Sequence, residues 1–428
     1  MITQIRIDGF KSFRDFRLDV PPTLVMLGAN GAGKSNLLDA LRLVAGTADR
    51  GFEETVRGDR RLAPVDLFRR HKGGERRELT VTVGSLVATR YGPVPLRIRL
   101  VVARLGSGRV MLGAKSGVWI SSLREPGWMG DIGLDEDQRS AVARARAEFA
   151  THDAATWVPF QGPLGSPLPV EDEESVRSSA RSEALFEEPG TELRLLAARE
   201  CASWTALVLD PAAMRLPSPA FVERRLAPDG RNLAEVLQRI EERPPLWRRF
   251  VADLAALVDG VDDVRVVYDE RRQEYDFEVS FSNTGWLAPP ALSDGTLRMA
   301  ALLAAAADPA WPGGMCVEEI ENGMNPEYVA ELVRRLRRGT GVRPEASAYR
   351  QLIATTHSPA LLAALRHDLS GSLVFLEQAD RVDPADGTIS RATVARPLRA
   401  FDPEREPGES VSPERVERLL RKLNGAGE

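Results

Sequence analysis

Eight residues, Gly28-Ala29-Asn30-Gly31-Ala32-Gly33-Lys34-Ser35, have the spacing G-x-x-x-x-G-K-[ST]. That spacing builds a phosphate cradle, the P-loop. Glycines let backbone N–H groups turn toward one point, and the helix that follows offers its positive end to an anion. The flanks agree: Thr23–Leu27 reads as a buried strand, and Leu37, Leu38, Leu41 and Val44 fall at helical spacing. The blander alternative, a glycine-rich turn before a core helix, has to account for the whole motif and both flanks. Read as a P-loop, Asn30, Gly31, Ala32, Gly33 and Asn36 surround the nucleotide phosphates. Lys34 reaches the β- and γ-phosphates, and Ser35 holds Mg²⁺.

Three further segments carry chemistry. Gly314-Met315-Cys316-Val317 is a short apolar strand that runs into Glu318-Glu319. Paired acids at a strand end suit nucleotide hydrolysis. Glu318 can join the Mg²⁺ shell, and Glu319 can polarise an attacking water. Solvated charges at a strand end are the alternative. Leu292-Ser293-Asp294-Gly295-Thr296-Leu297-Arg298 opens an Ala/Leu-rich helix. Ser293 and Gly295 there form a second anion site, although Ser293 also suits a plain N-cap. Leu352–Thr356 reads as a strand that delivers His357 and Ser358-Pro359 at its carboxyl end. Ligands of open α/β sheets gather at that end, whereas a lone histidine is more often structural.

These pieces, in their chain order, resemble the ABC-type ATPase heads of the RecF, structural-maintenance-of-chromosomes and overcoming-lysogenisation-defect (OLD) kind. The likeness is closest to short stand-alone bacterial AAA family ATPases. Ile5-Arg6-Ile7-Asp8-Gly9-Phe10-Lys11-Ser12-Phe13 is similar to the first strand of that family. Leu292 to Arg298 resembles its signature motif, Glu318 to Pro326 its Walker B and D-loop, and Thr355 to Pro359 its switch histidine. Glu318 stands where the family has Asp, and Met324-Asn325 where Leu-His is expected. The Q-loop glutamine has no clear match; Gln161 is the candidate. The resemblance implies ATP and Mg²⁺ as cofactors and Glu319, His357 and Lys34 as catalytic groups. It also implies a homodimer that sandwiches ATP, so that Ser293 and Gly295 of one chain meet the nucleotide of the other.

Composition sets limits. The 428 residues are 43% hydrophobic, enough for sizeable cores. Two cysteines, Cys201 and Cys316, allow no disulfide framework or CxxC metal site. The four histidines are scattered. The N-terminus lacks a secretory layout, and no apolar stretch reaches about 18 residues, so the cytoplasm is expected and a membrane is not. Net charge is −5, unlike a chain committed wholly to nucleic acid. Basic patches exist at Arg69–Lys72, Arg76-Arg77, Arg248-Arg249, Arg271-Arg272 and Arg334–Arg338, each more readily read as a solvated face than as a nucleic-acid site.

The elements that must position these residues read as α/β. A P-loop head is expected as a mixed sheet with flanking helices, discontinuous in sequence, with an inserted helical lobe. Strands are expected at Ile2–Ile7, Phe16–Val20, Leu79–Val83 and Leu96–Val102, extended by Arg109–Leu112 and Gly117–Ile120. Helices are expected at Asp135–Ala150, Thr191–Ala202, Asn232–Arg243 and Leu246–Val258. A hairpin joins Val264–Tyr268 to Tyr275–Phe281. Residues 159–190, with acids at 171–174, read as loop. The domains follow: 1–124 and 261–380 as the two parts of the head, 125–260 as the lobe, and 381–428 as a tail. The tail ends in an amphipathic helix, Pro413–Leu423, able to pack on the head or to dock a partner. No heptad array suggests long coiled-coil arms. The expected role is an ATP-driven dimerising switch in DNA maintenance or defence against foreign DNA, with a separate effector such as a nuclease or toxin. A regulatory scaffold that never touches DNA is the alternative.

Overall fold

In the computed structural model, the described residues are 1–71, 74–120, 136–152, 157–160, 190–220, 225–309, 313–338, 340–343, 348–366, 371–382, 389–398 and 410–425. Gln161, His367, Lys72 and the acid run at 171–174 lie outside them.

Five strands of one sheet run parallel. Its order is Trp204–Leu207, Gly313–Val317, Ala348–Thr356, Thr23–Leu27, Leu373–Val382 and Ile389–Pro397, the last pairing antiparallel. Thr23–Leu27 is buried throughout, as a central parallel strand should be. Its alternate residues feed two cores. Leu24 and Met26 face the P-loop helix (Lys34–Arg50), with its Leu37, Leu38, Leu41 and Val44. Val25 and Leu27 face the signature helix (Asp294–Ala307) and the helix Pro326–Arg337.

A second sheet is antiparallel, in the order Trp157–Pro159, Gly117–Ile120, Gly92–Arg104, Glu78–Thr89, Ile2–Asp8 and Phe16–Asp19. Val81, Val83, Ile98 and Leu100 belong to the same core as the P-loop helix, which therefore lies between the two sheets. The strands Glu78–Thr89 and Gly92–Arg104 are longer than their alternating stretches suggest. They join through a tight turn in which Gly92 takes φ +115°.

The segment read as a helical insert also contributes strands. Trp157–Pro159 extends the antiparallel sheet, and Trp204–Leu207 is the edge of the parallel one. Strands this short carry no usable period, and their partners lie far along the chain. In the same way, residues 389–397, read as tail, pair with Val374 through Val382. The helices Leu233–Glu241 and Pro244–Ala255 pack on the signature helix, and the hairpin Val261–Asp269/Glu274–Phe281 packs on those two helices. The helix Pro413–Gly425 packs on Pro359–Leu365, burying Val416 and Leu420. Among the described residues no helix is long and apolar enough to cross a membrane.

One buried ion pair ties the helical layer together. Asp308, fully buried at the end of the signature helix, accepts from Arg239 Nε at 3.0 Å and Nη2 at 2.7 Å. Asp308→Ala leaves the half-buried Arg239 guanidinium without this carboxylate, although Glu235 stays 3.5 Å away, and should cost about 3 kcal/mol, the low end for a broken buried pair. Replacing both partners by apolar residues should cost less. Denaturant unfolding followed by circular dichroism checks this; an unchanged midpoint in Asp308→Ala would refute the assigned weight.

Candidate active site

The parallel register brings the three motif strands side by side. Val317 pairs with Ala354, and Thr356 with Leu27, so Glu318, His357 and Gly28 emerge at one carboxyl edge. An open cleft lies there, lined among others by Asn30, Gly31, Lys34, Ser35, Asn36 and Glu319.

Backbone geometry explains the glycines. Gly31 and Gly33 take φ +79° and +105°, the left-handed region that disfavours a Cβ. A Cβ on Gly33 would lie 2.3 Å from Thr393 Oγ1, and one on Gly28 would lie 2.6 Å from the Leu376 carbonyl. The loop is therefore pressed against the Leu373–Pro397 hairpin. Thr393 Oγ1 stands 3.0 Å from Ala32 O and 2.8 Å from Ser12 Oγ, and accepts from Gln378 Nε2 at 3.0 Å. Asn36 Nδ2 donates to Ser12 Oγ at 2.9 Å. Nothing in the pattern near Thr393 or Gln378 marks this support, because it depends on hairpin pairing.

Lys34 is 6% exposed and donates to the Gly28 and Ala29 carbonyls. Burial pulls its pKa below the usual lysine value, while Glu319, Glu321 and Glu318 oppose that shift. Ser35 Oγ donates to Glu318 Oε1. Arg61 Nη1 lies 3.1 Å from Glu318 Oε2, and Arg42 Nη2 lies 3.9 Å away. Burial pushes the Glu318 carboxyl up, but the Ser35 and Arg61 hydrogen bonds and the two guanidinium charges outweigh it, so its pKa is lowered. Ser35 and an ionised Glu318 in contact form a hard-oxygen pair that fits Mg²⁺. Behind them Asp39, 1% exposed, accepts from Lys11 at 2.6 Å and Arg42 at 3.0 Å and pairs with Arg61 at 3.1 Å.

Glu319 lines the cleft with φ +50°, a conformation an acid seldom adopts without support. Its N–H donates to Thr355 Oγ1 at 2.8 Å, and the next N–H, of Ile320, donates to Thr355 O at 3.0 Å. The His357 N–H donates to Glu321 Oε1 at 2.8 Å. Ser293 and Gly295 are elsewhere: neither lines the cleft. Ser293 is an exposed N-cap that accepts from Thr296 N at 3.1 Å. Gly295 is buried, and a Cβ there would meet the Gly323 carbonyl at 2.8 Å. Of the basic patches, Arg69 is buried and holds Ser12 O and Arg391 O, and Arg335 pairs with Asp253 and Glu331.

Fold and site together define a P-loop ATPase head. A family model described as "AAA domain, putative AbiEii toxin, Type IV TA system" matches residues 172–363, and one described as "AAA domain" matches residues 4–85. Each match covers less than half of the chain, and together they show AAA ATPase domain sequence in its N-terminal and C-terminal parts. Similar solved structures include an Smc head from Pyrococcus furiosus bound to the C-terminal domain of ScpA, at 15% identity, 99% coverage of each chain and TM-score 0.45. An SMC head from Thermotoga maritima aligns at 14% identity, covering 93% of this chain and 99% of that one, with TM-score 0.43. An Smc head from Pyrococcus yayanosii aligns at 13% identity, 99% coverage of each chain and TM-score 0.48. No curated protein matches the chain.

Lys34 supplies a pH test. Its lowered pKa means that the ammonium, the form that attracts phosphate, is lost below the usual value of 10.5. ATP affinity should fall as pH rises through that range, and Lys34→Arg should flatten the fall. Lys34→Ala should abolish binding. Titration of fluorescent ATP at several pH values checks both, and wild-type affinity in Lys34→Ala would remove this lysine from the site.

Proposed function

We propose that the chain is a cytoplasmic ATPase that hydrolyses ATP to ADP and phosphate and works as an ATP-closed homodimer. The observation that carries this is the separation of Ser293 and Gly295 from a cleft that holds Lys34, Ser35 and Glu319. One chain offers half a site, and a second copy supplies the exposed signature turn. Mg²⁺, held by Ser35 and Glu318, would neutralise phosphate charge. Glu319 orients and activates the attacking water, Lys34 holds the β/γ-phosphates, and His357 senses the γ-phosphate. Asn30 to Gly33 and Asn36 shape the cradle.

The output lies outside the site. We read it as DNA maintenance or defence against foreign DNA through a separate effector, a nuclease or toxin. The toxin–antitoxin wording of the matching family supports an effector. The net charge of −5 favours a second reading, a regulatory scaffold that makes no DNA contact. Turnover stimulated by DNA separates the two.

Glu319→Gln should keep ATP binding and slow turnover by about 10²-fold or more, the size expected for a lost general base. Phosphate release assays decide it; normal turnover would mean that another group acts as base. Ser293→Arg should bind ATP yet fail to turn over. Mixed with Lys34→Ala protein, it should regain partial activity, because one composite site then carries neither lesion. Absence of recovery at every mixing ratio would argue against shared sites.

A further inference from the structure

The loop after the acidic strand carries a third acid with no task in the scheme above. The Glu321 side chain is 10% exposed. Its Oε1 accepts the His357 backbone N–H at 2.8 Å and lies 3.1 Å from Nδ1 of the same residue's ring. Nδ1 is buried, near Oε1 but not aligned on it, and Glu321 Oε2 is buried with no hydrogen-bond partner. Burying a carboxylate is unfavourable unless it is paired. A loop residue that turns one inward therefore needs a compensating partner, and the partner here is His357, hydrogen-bonded through its backbone N–H and with its ring Nδ1 close beside the same oxygen.

The contact is not needed to attach the loop to the histidine strand. Thr355 already holds it twice, through Glu319 N and Ile320 N. The contact instead bears on what His357 presents. A carboxylate beside Nδ1 favours the proton on that nitrogen. Nε2 is then the ring atom left to meet a ligand.

We propose that Glu321 is a positioning residue for His357, fixing its backbone and its Nδ1–H tautomer so that Nε2 serves the γ-phosphate. The proposal rests on the reading of His357 as the phosphate sensor. It extends that reading to an acid on the other strand's loop, so that the Walker B loop and the switch histidine move as one unit. Ring misplacement by about an ångström is enough to lose roughly 10²-fold in rate.

The test uses the full chain with Mg²⁺ and ATP. Glu321→Ala should lower kcat about 10- to 100-fold and leave the ATP dissociation constant within about 3-fold, while Glu321→Gln, which keeps an acceptor, should recover much of the loss. In a His357→Ala background, Glu321→Ala should add nothing, since the two residues act as one. Long-range ¹⁵N NMR on histidine-labelled protein, with the His357 signal identified by its loss in His357→Ala, should show Nδ1–H in the wild type and a shift toward Nε2–H in Glu321→Ala. A full further loss in the His357→Ala background, or an unchanged tautomer in Glu321→Ala, would overturn the proposal. If His357→Ala turns over normally while the tautomer still shifts, the sensor reading fails and the Glu321–His357 positioning stands.

Discussion

The site depends on the parallel pairing of three strands that are distant in sequence. Thr23–Leu27 lies beside Ala348–Thr356, which lies beside Gly313–Val317. Parallel neighbours need long crossovers, so nothing local brings these segments together. Once paired, their register leaves no freedom: the P-loop, His357 and the two acids must leave the sheet at the same edge. A one-residue slip would reverse which core each strand residue meets, because Val25 and Leu27 serve one core and Leu24 and Met26 the other.

Charge is the second constraint. The edge of the sheet buries Lys34, Asp39 and most of Glu318. Isolated, each would be unfavourable. The two acids are tolerated as a connected set in which Lys11, Arg42 and Arg61 meet Asp39, and the two arginines also meet Glu318, while Lys34 is held by the Gly28 and Ala29 carbonyls. Glu318 thereby stays ionised despite its burial.

The loop from Glu318 to Met324 touches every functional part. Glu319 lines the cleft, Glu321 holds His357, and Gly323 packs on Gly295 at the signature turn. The left-handed backbone at Glu319 and Gly323 turns the chain sharply enough to make these contacts within a few residues. Such strain is maintained where surrounding bonds over-determine it, and here Thr355 provides them.

Local pattern was enough for much of this protein. The P-loop, the acidic pair, the histidine strand and most helices are legible because glycine spacing, apolar runs and helical periodicity are properties of neighbouring residues. The Q-loop glutamine found no match, and Gln161 lies outside the described residues. Arg42, Arg61 and Asp39 carried no signal, since their role arises only where the P-loop helix and the Arg60–Leu62 turn meet the end of a strand more than two hundred residues away. Thr393 and Glu321 were equally silent. Trp204–Leu207 and Ile389–Pro397 joined the head's sheet although composition set them apart, because strand membership is decided by hydrogen bonds to a partner. The sequence by itself determined which segments could bind phosphate and ionise. Only the tertiary structure decided which charges they meet, because burial and Coulomb interaction depend on distances in space that the order of residues does not contain.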